Sequence, residues 1–153
     1  MLKVIIVYES KYGNTKLVAE NIIESIKEVQ DIEVSLHEVK SIDMDDVINS
    51  DAILIGSPNN WGRATGNIRK FIDGLGEINL NSKPAAVFDT YISRDFEKAV
   101  RQMEKQITEK VPSLKLATPG LSIKVKSSKG PILEEELPKC MEFGIKFGEL
   151  IKG

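Results

Sequence analysis

The residues best suited to chemistry stand at three places where an apolar run gives way to a polar loop: Ser10 to Thr15, Ser57 to Gly62, and Asp89 to Tyr91. In the first, YESKYGNTKLVAENI, a single glycine sits among hydroxyl and amide side chains just before a segment of helical period. That combination reads as an anion cradle. Gly13 lets the backbone turn and approach a ligand closely, while the amides around Tyr12 to Thr15 converge at a helix amino terminus that favours negative charge. Ser10 and Thr15 add hydroxyls, Asn14 adds a carboxamide, and Lys11 is near enough to contribute charge. The plainer alternative is a strand-to-helix turn capped by polar residues. The second loop, SPNNWG, sets the ring of Trp61 between hydrogen-bonding residues. The alternative for Trp61 is a surface side chain lying over the next helix. The third, DTY, offers Tyr91 either to a ligand or to packing beneath the helix that follows, and the two readings carry equal weight.

Those loops must be held by something, and the chain supplies apolar runs alternating with longer stretches of helical period, the mark of a βαβ protein with a parallel sheet. Strands are expected at Lys3–Tyr8, Ile32–Val39, Ala52–Ser57, Ala85–Phe88 and Leu121–Val125. A first helix over about residues 14–28 aligns Val18, Ile22, Ile26 and Val29, and Asp43 can cap a short one. A third begins near Ala64 and carries Ile68, Phe71, Ile72 and Leu75. A fourth, from about Arg94 to Lys110, bears Phe96, Val100, Met103 and Ile107. The last aligns Leu133, Leu137, Cys140, Gly144, Phe147 and Ile151, with Pro138 in its first turn. Strands buried on both faces read as unbroken apolar runs, whereas strands two and five alternate and so belong at edges. With right-handed crossovers, the expected fold is an α/β three-layer sandwich: a five-stranded parallel sheet of order 2-1-3-4-5 with helices on both faces.

IVYESKYGNTKLVAENI resembles the flavodoxin signature, with Tyr8, Ser10, Gly13, Thr15, Ala19 and Ile22 in register. The family's sheet places its ligand outside the carboxyl ends of strands one and three, a rule for which flavodoxin with FMN is itself a standard illustration. The resemblance implies that Ser10, Lys11, Tyr12, Gly13, Asn14 and Thr15 wrap the ribityl phosphate of FMN. Tyr12 departs from the usual Ser or Thr, so only its backbone N–H is carried over. Ser57, Pro58, Asn59, Asn60, Trp61 and Gly62 resemble the second flavin-binding loop, where an apolar wall and backbone polar groups meet the ring system. Asp89, Thr90 and Tyr91 occupy the place where the family closes over the flavin's other side. That loop is short and lacks the family's glycine-rich acidic run. Arg63, Arg69, Lys70 and Arg94 stand where familiar members carry acids, which predicts a less negative second reduction step, moderated by screening. The expected function is electron carriage between redox partner proteins. The alternative is an FMN-dependent NAD(P)H:quinone-type oxidoreductase, for which the chain leaves little length to build a substrate pocket. A phospho-accepting receiver shares the sheet order but needs an acidic pair after strand one and an aspartate ending strand three, places held here by Glu9-Ser10 and Ser57-Pro58.

Composition narrows the partners. The 153 residues, 41% of them hydrophobic and 29% charged, suit one domain spanning 1–153 with a sizeable core. The formal net charge of −2, with no basic stripe, points away from nucleic acid and anionic membranes. A lone cysteine, the absence of metal-ligand spacing and the lack of a leader pattern lead us to expect a cytoplasmic, metal-free and monomeric protein. His37 and Cys140 read as a solvated imidazole and a buried thiol. Glu134, Glu135 and Glu136 read as acids favourable to a helix dipole. Lys124, Lys126 and Lys129 form a small basic cluster.

Overall fold

A computed structural model describes residues Met1–Gly153. Along the chain run β1 (Leu2–Tyr8), α1 (Asn14–Ile26), β2 (Ile32–Glu38), α2 (Met44–Asn49), β3 (Ala52–Pro58), α3 (Gly66–Leu75) and β4 (Lys83–Tyr91). Then follow α4 (Lys98–Lys110), β5 (Leu114–Leu116), β6 (Leu121–Lys124) and α5 (Leu137–Lys152). The strands form one parallel sheet in the order β2-β1-β3-β4-β5, as the hydrophobic patterns require, with β6 also on β4.

Apolar runs bury both sides of the central strands. Ile5, Val7, Ile53, Ile55 and Val87 face α3 and α4, where they meet Ile68, Ile72, Val100, Met103 and Ile107. Val4, Ile6, Leu54 and Phe88 point the other way, into a second core with Val18, Ile22, Ile26, Cys140 and Phe147 of α1 and α5. Alternation along each strand therefore feeds two helical layers at once. Gly56 pairs with Phe88 across β3 and β4, and a methyl at Gly56 would overlap the Phe88 ring. Glycine there makes room for a large, fully buried side chain. Gly144 brings α5 against Ser25 of α1, and Gly148 brings it against Val29, just past that helix, and Ile32 of β2.

The sheet's far edge is shared by two short strands. β5 pairs with the first residues of β4, Lys83–Ala85, and β6 with its last, Phe88–Tyr91. Between them Pro119 has no N–H to donate, and Gly120 presses against Val87 so closely that a Cβ there would crowd its carbonyl and side chain. The ladder breaks at that point. The helix expected from Arg94 starts instead at Lys98, and Phe96 lies ahead of it, 52% exposed, with its ring edge-on to Tyr91 at 5.4 Å.

Two polar side chains pin the amino edge and the sixth strand. Lys83 is buried and its ammonium donates to the carbonyls of Val47, Ile48 and Ser50, capping the carboxyl end of α2. Burial lowers its affinity for a proton, and Asp51 partly offsets that. Glu136, also buried, accepts from the Lys124 amide at 2.7 Å and pairs with Lys139. Of the three consecutive glutamates, this one ties α5 to β6.

Candidate functional site

At the carboxyl edge, the loops after β1, β3, β4 and β6 enclose a cleft of about 620 Å³. β1 and β3 are neighbours whose connections leave toward opposite sides of the sheet, so the cleft opens at the switch point of the strand order. Its walls include Ser10, Lys11, Tyr12, Asn14 and Thr15 from the first loop, Pro58, Asn59 and Asn60 from the second, and Thr90 and Tyr91 from the third.

The first loop is built around an uncapped helix. Gly13 stands at φ 94° in the N-cap position of α1 and provides no side-chain acceptor. Ser10 folds back so that its hydroxyl accepts from the amides of Gly13 at 3.1 Å and Lys16 at 3.3 Å. The amides of Asn14 and Thr15 are left without a protein acceptor at the positive end of the helix dipole. Unlike its amide, the Thr15 hydroxyl is engaged: buried, it lies 3.0 Å from that of Thr90. Asn14 donates its carboxamide to Ser128 O, fastening the segment after β6 to the loop. Tyr12 is 47% exposed, and the ammonium groups of Lys11 and Lys129 lie 5.5 and 6.0 Å from its ring centroid. Free N–H groups, a left-handed glycine and nearby ammonium charge together suit a phosphate dianion.

The second loop is a two-residue reversal. Asn60 and Arg63 exchange both backbone bonds, at 2.7 and 3.2 Å, with Trp61 and Gly62 at φ 57° and 76° between them. Two successive left-handed residues form this tight turn, a conformation that costs a tryptophan about 1 kcal/mol or more. Trp61 is 93% exposed at its tip, beyond the cleft wall. Ser57 is buried beneath the loop, where its hydroxyl accepts from the Thr65 amide at 3.0 Å and donates to Pro58 O at 2.8 Å. Of the positive groups expected nearby, Arg69 instead donates to Ala64 O.

Asn59 and Asp89 play a different part. Asn59 donates its amide and its carboxamide to Thr90 O, while its Oδ1 accepts from the Ala99 amide at 2.9 Å. Asp89 is fully buried and faces α4 rather than the cleft. It accepts from the Val100 amide at 3.0 Å and from the Ser122 hydroxyl at 2.6 Å. Burial is the largest influence on this carboxyl and pushes it up to about 6, against the pull of those donors and of the carboxamide of Asn59 beside it.

Sequence reasoning did not find Glu9, Lys40, Thr65, Ile92, Asp95, Val125 or Ser128, which complete the lining. Glu9 directly follows β1, and its position past a buried strand was the available signal; it accepts from Asn67 at 2.9 Å. Ser128 comes from a distant segment and had none.

Fold and cleft together define an α/β protein with a polar cleft at the switch point of a parallel sheet. Residues 5–121 match the family model described as Flavodoxin domain, and the chain belongs to that family. A flavodoxin from Aquifex aeolicus is 32% identical over 93 residues, covering 59% of this chain and 50% of that protein. An NAD(P)H dehydrogenase (quinone) from Geotalea daltonii is 30% identical over 115 residues, covering 57% and 56%. The matches thus span about half the length of these curated relatives. Among solved structures, a flavodoxin from the domain Archaea superposes with TM-score 0.85 at 26% identity, covering 99% of this chain and 100% of the other. Oxidised flavodoxin 2 from Bacillus cereus gives TM-score 0.81 at 32% identity, covering 96% and 98%. Membership of this family implies a flavin cofactor. No helix is long and apolar enough to cross a membrane.

Proposed function

We propose that the cleft binds FMN and that the protein carries electrons between redox partner proteins. The observation that supports this most is the pair of unpartnered amides, Asn14 and Thr15, held at the start of α1 by a left-handed glycine. They would take the phosphate, with the Ser10 loop closing around it. Pro58, Asn60 and Tyr91 would border the ring system, and Trp61, exposed at the tip of its turn, would have to fold inward to cover it. When bound, the flavin supplies reversible one- and two-electron chemistry; the chain's part is to seat it, limit water around it and set the charges it meets. The loop carbonyls between Asn59 and Gly62 are the groups that would hold a ring N–H.

Titration of free FMN with the purified protein tests this directly. Flavin fluorescence is expected to quench at one equivalent, and riboflavin, which lacks the phosphate, to bind at least about tenfold more weakly. Equal affinity for the two would remove the phosphate from the account. The Geotalea relative motivates a second reading, a nicotinamide-dependent quinone reductase. Rapid bleaching of the bound flavin by NADH or NADPH alone would favour it, and a slow reaction that needs a partner protein favours the carrier.

A further inference from the structure

The first turn of α4 is capped almost entirely from elsewhere in the fold. Glu97 at its N-cap lies at φ 60° and makes no side-chain cap of its own. Its amide donates to Ser122 of β6 at 2.9 Å, the Ala99 amide to Asn59 of the loop after β3, and the Val100 amide to Asp89 of β4. Ser122 in turn donates to Asp89. Three elements therefore meet at one buried carboxyl, and one of them is the segment that leads into Asn60, Trp61 and Gly62.

We propose that Asp89 is a positioning residue: through α4's first turn and Asn59 it fixes the loop to Gly62, so that gain or loss of a proton on Asp89 changes how firmly that loop is held. The idea rests on the reading of the loop as a flavin wall, but the link itself belongs to the protein alone. With the carboxyl ionised, both oxygens accept, and Val100, Ala99 and Asn59 are locked in one register. A proton on it removes one acceptor from a fully buried site, and the turn with its attached loop loosens. Facing the carboxyl are Ser122 from β6, the Val100 amide from α4, Asn59 from the loop, and the charge of Glu97, which together with burial favours the proton. Tyr91, next but one along β4, has its phenol pushed up first by burial and then by the charge of Glu136, with smaller contributions from Asp89 and Glu97 and an opposing one from Lys139. The balance sets the carboxyl to change state at about 6, inside the range a cell meets.

Amide spectra of the flavin-free protein, recorded across that pH range, test the link. His37, bonded to Ser35 on β2, is replaced in the background (H37Q) to remove the lone imidazole as a source of shifts. The amides of Ala99 and Val100 and those of Asn60 to Gly62 are expected to move with one common midpoint, and in Asp89→Asn, which keeps the shape, neither group moves. Ser122→Ala removes a donor that favours the ionised form and is expected to raise the midpoint of both groups together. A loop that stays still while Val100 titrates, or that titrates unchanged in Asp89→Asn, overturns the proposal. FMN affinity gives a second measure: the phosphate titrates in both proteins, so the ratio of their Kd values is read, expected near one below the transition and at least about fivefold above it. If neither protein binds FMN, the cofactor assignment fails, and the amide shifts still decide the link.

Discussion

Asp89→Asn also makes a quantitative demand on stability. The carboxyl rises from 3.8 in an open chain to about 6 in the fold, chiefly because burial penalises its charge. The native state therefore binds the proton more tightly than the unfolded chain between those values. Stability from this group is fully present below the lower value and is lost as pH rises through the upper one. A rise of about two pH units, at about 1.4 kcal/mol each, amounts to about 3 kcal/mol. Other carboxylates act in the opposite sense: Asp73, bonded to Gln106 and Lys110, is held below its usual range and favours folding at higher pH. The difference between wild type and variant removes those contributions. Urea denaturation of both proteins from about pH 3.5 to about pH 7 is expected to show the variant gaining on wild type by up to about 3 kcal/mol across the interval, with unchanged denaturant dependence. A difference that stays flat, or one that favours wild type as pH rises, would show that the helix dipole and the three donors outweigh burial, and the reasoning here would be refuted.

Three further outcomes follow from other parts of the molecule. Gly56→Ala forces a methyl into the space of the Phe88 ring and is expected to cost about 1 to 3 kcal/mol by chemical denaturation, although alanine is ordinarily the better strand residue. Lys83→Met leaves the final carbonyls of α2 without their donor; a loss of about 2 kcal/mol is expected, with faster amide exchange confined to residues 44–50. Ser10→Ala removes the acceptor that draws Gly13 and Lys16 inward, and FMN should bind about tenfold more weakly by fluorescence titration while the melting temperature of the flavin-free protein changes little.

Much of this arrangement is readable from residue pattern alone, because strands sandwiched between helices have no polar face to confuse the reading. The runs at β1, β3 and β4 and the alternation in β2 lead directly to the strand order, and Asp43, whose side chain accepts from Asp45 N, caps α2 as its type and place require. β5 escapes notice because three residues between Pro112 and Pro119 carry too little period to register. The start of α4 is misplaced for a more instructive reason. Phe96 continues the apolar stripe of Val100, Met103 and Ile107, so pattern alone extends the helix back to Arg94; yet its real caps come from Asn59, Asp89 and Ser122.

The same residue types serve two ends here, which is why type and position could not separate them. Asparagine, aspartate and serine at the carboxyl edge of a parallel sheet are as well suited to accept the first amides of a helix as to bind a ligand. Where the cap is local, as at Asp43, neighbouring sequence reveals it. Where it is assembled from three strands' ends, it appears only once the chain has folded. Assembly from distant parts also has a physical consequence: a local cap can open without disturbing anything else, whereas α4 cannot release Val100 or Ala99 without shifting the strand end or the loop that accepts them. The cleft's second loop is thereby tied to α4, and the shape of the cleft becomes a property of the whole carboxyl edge.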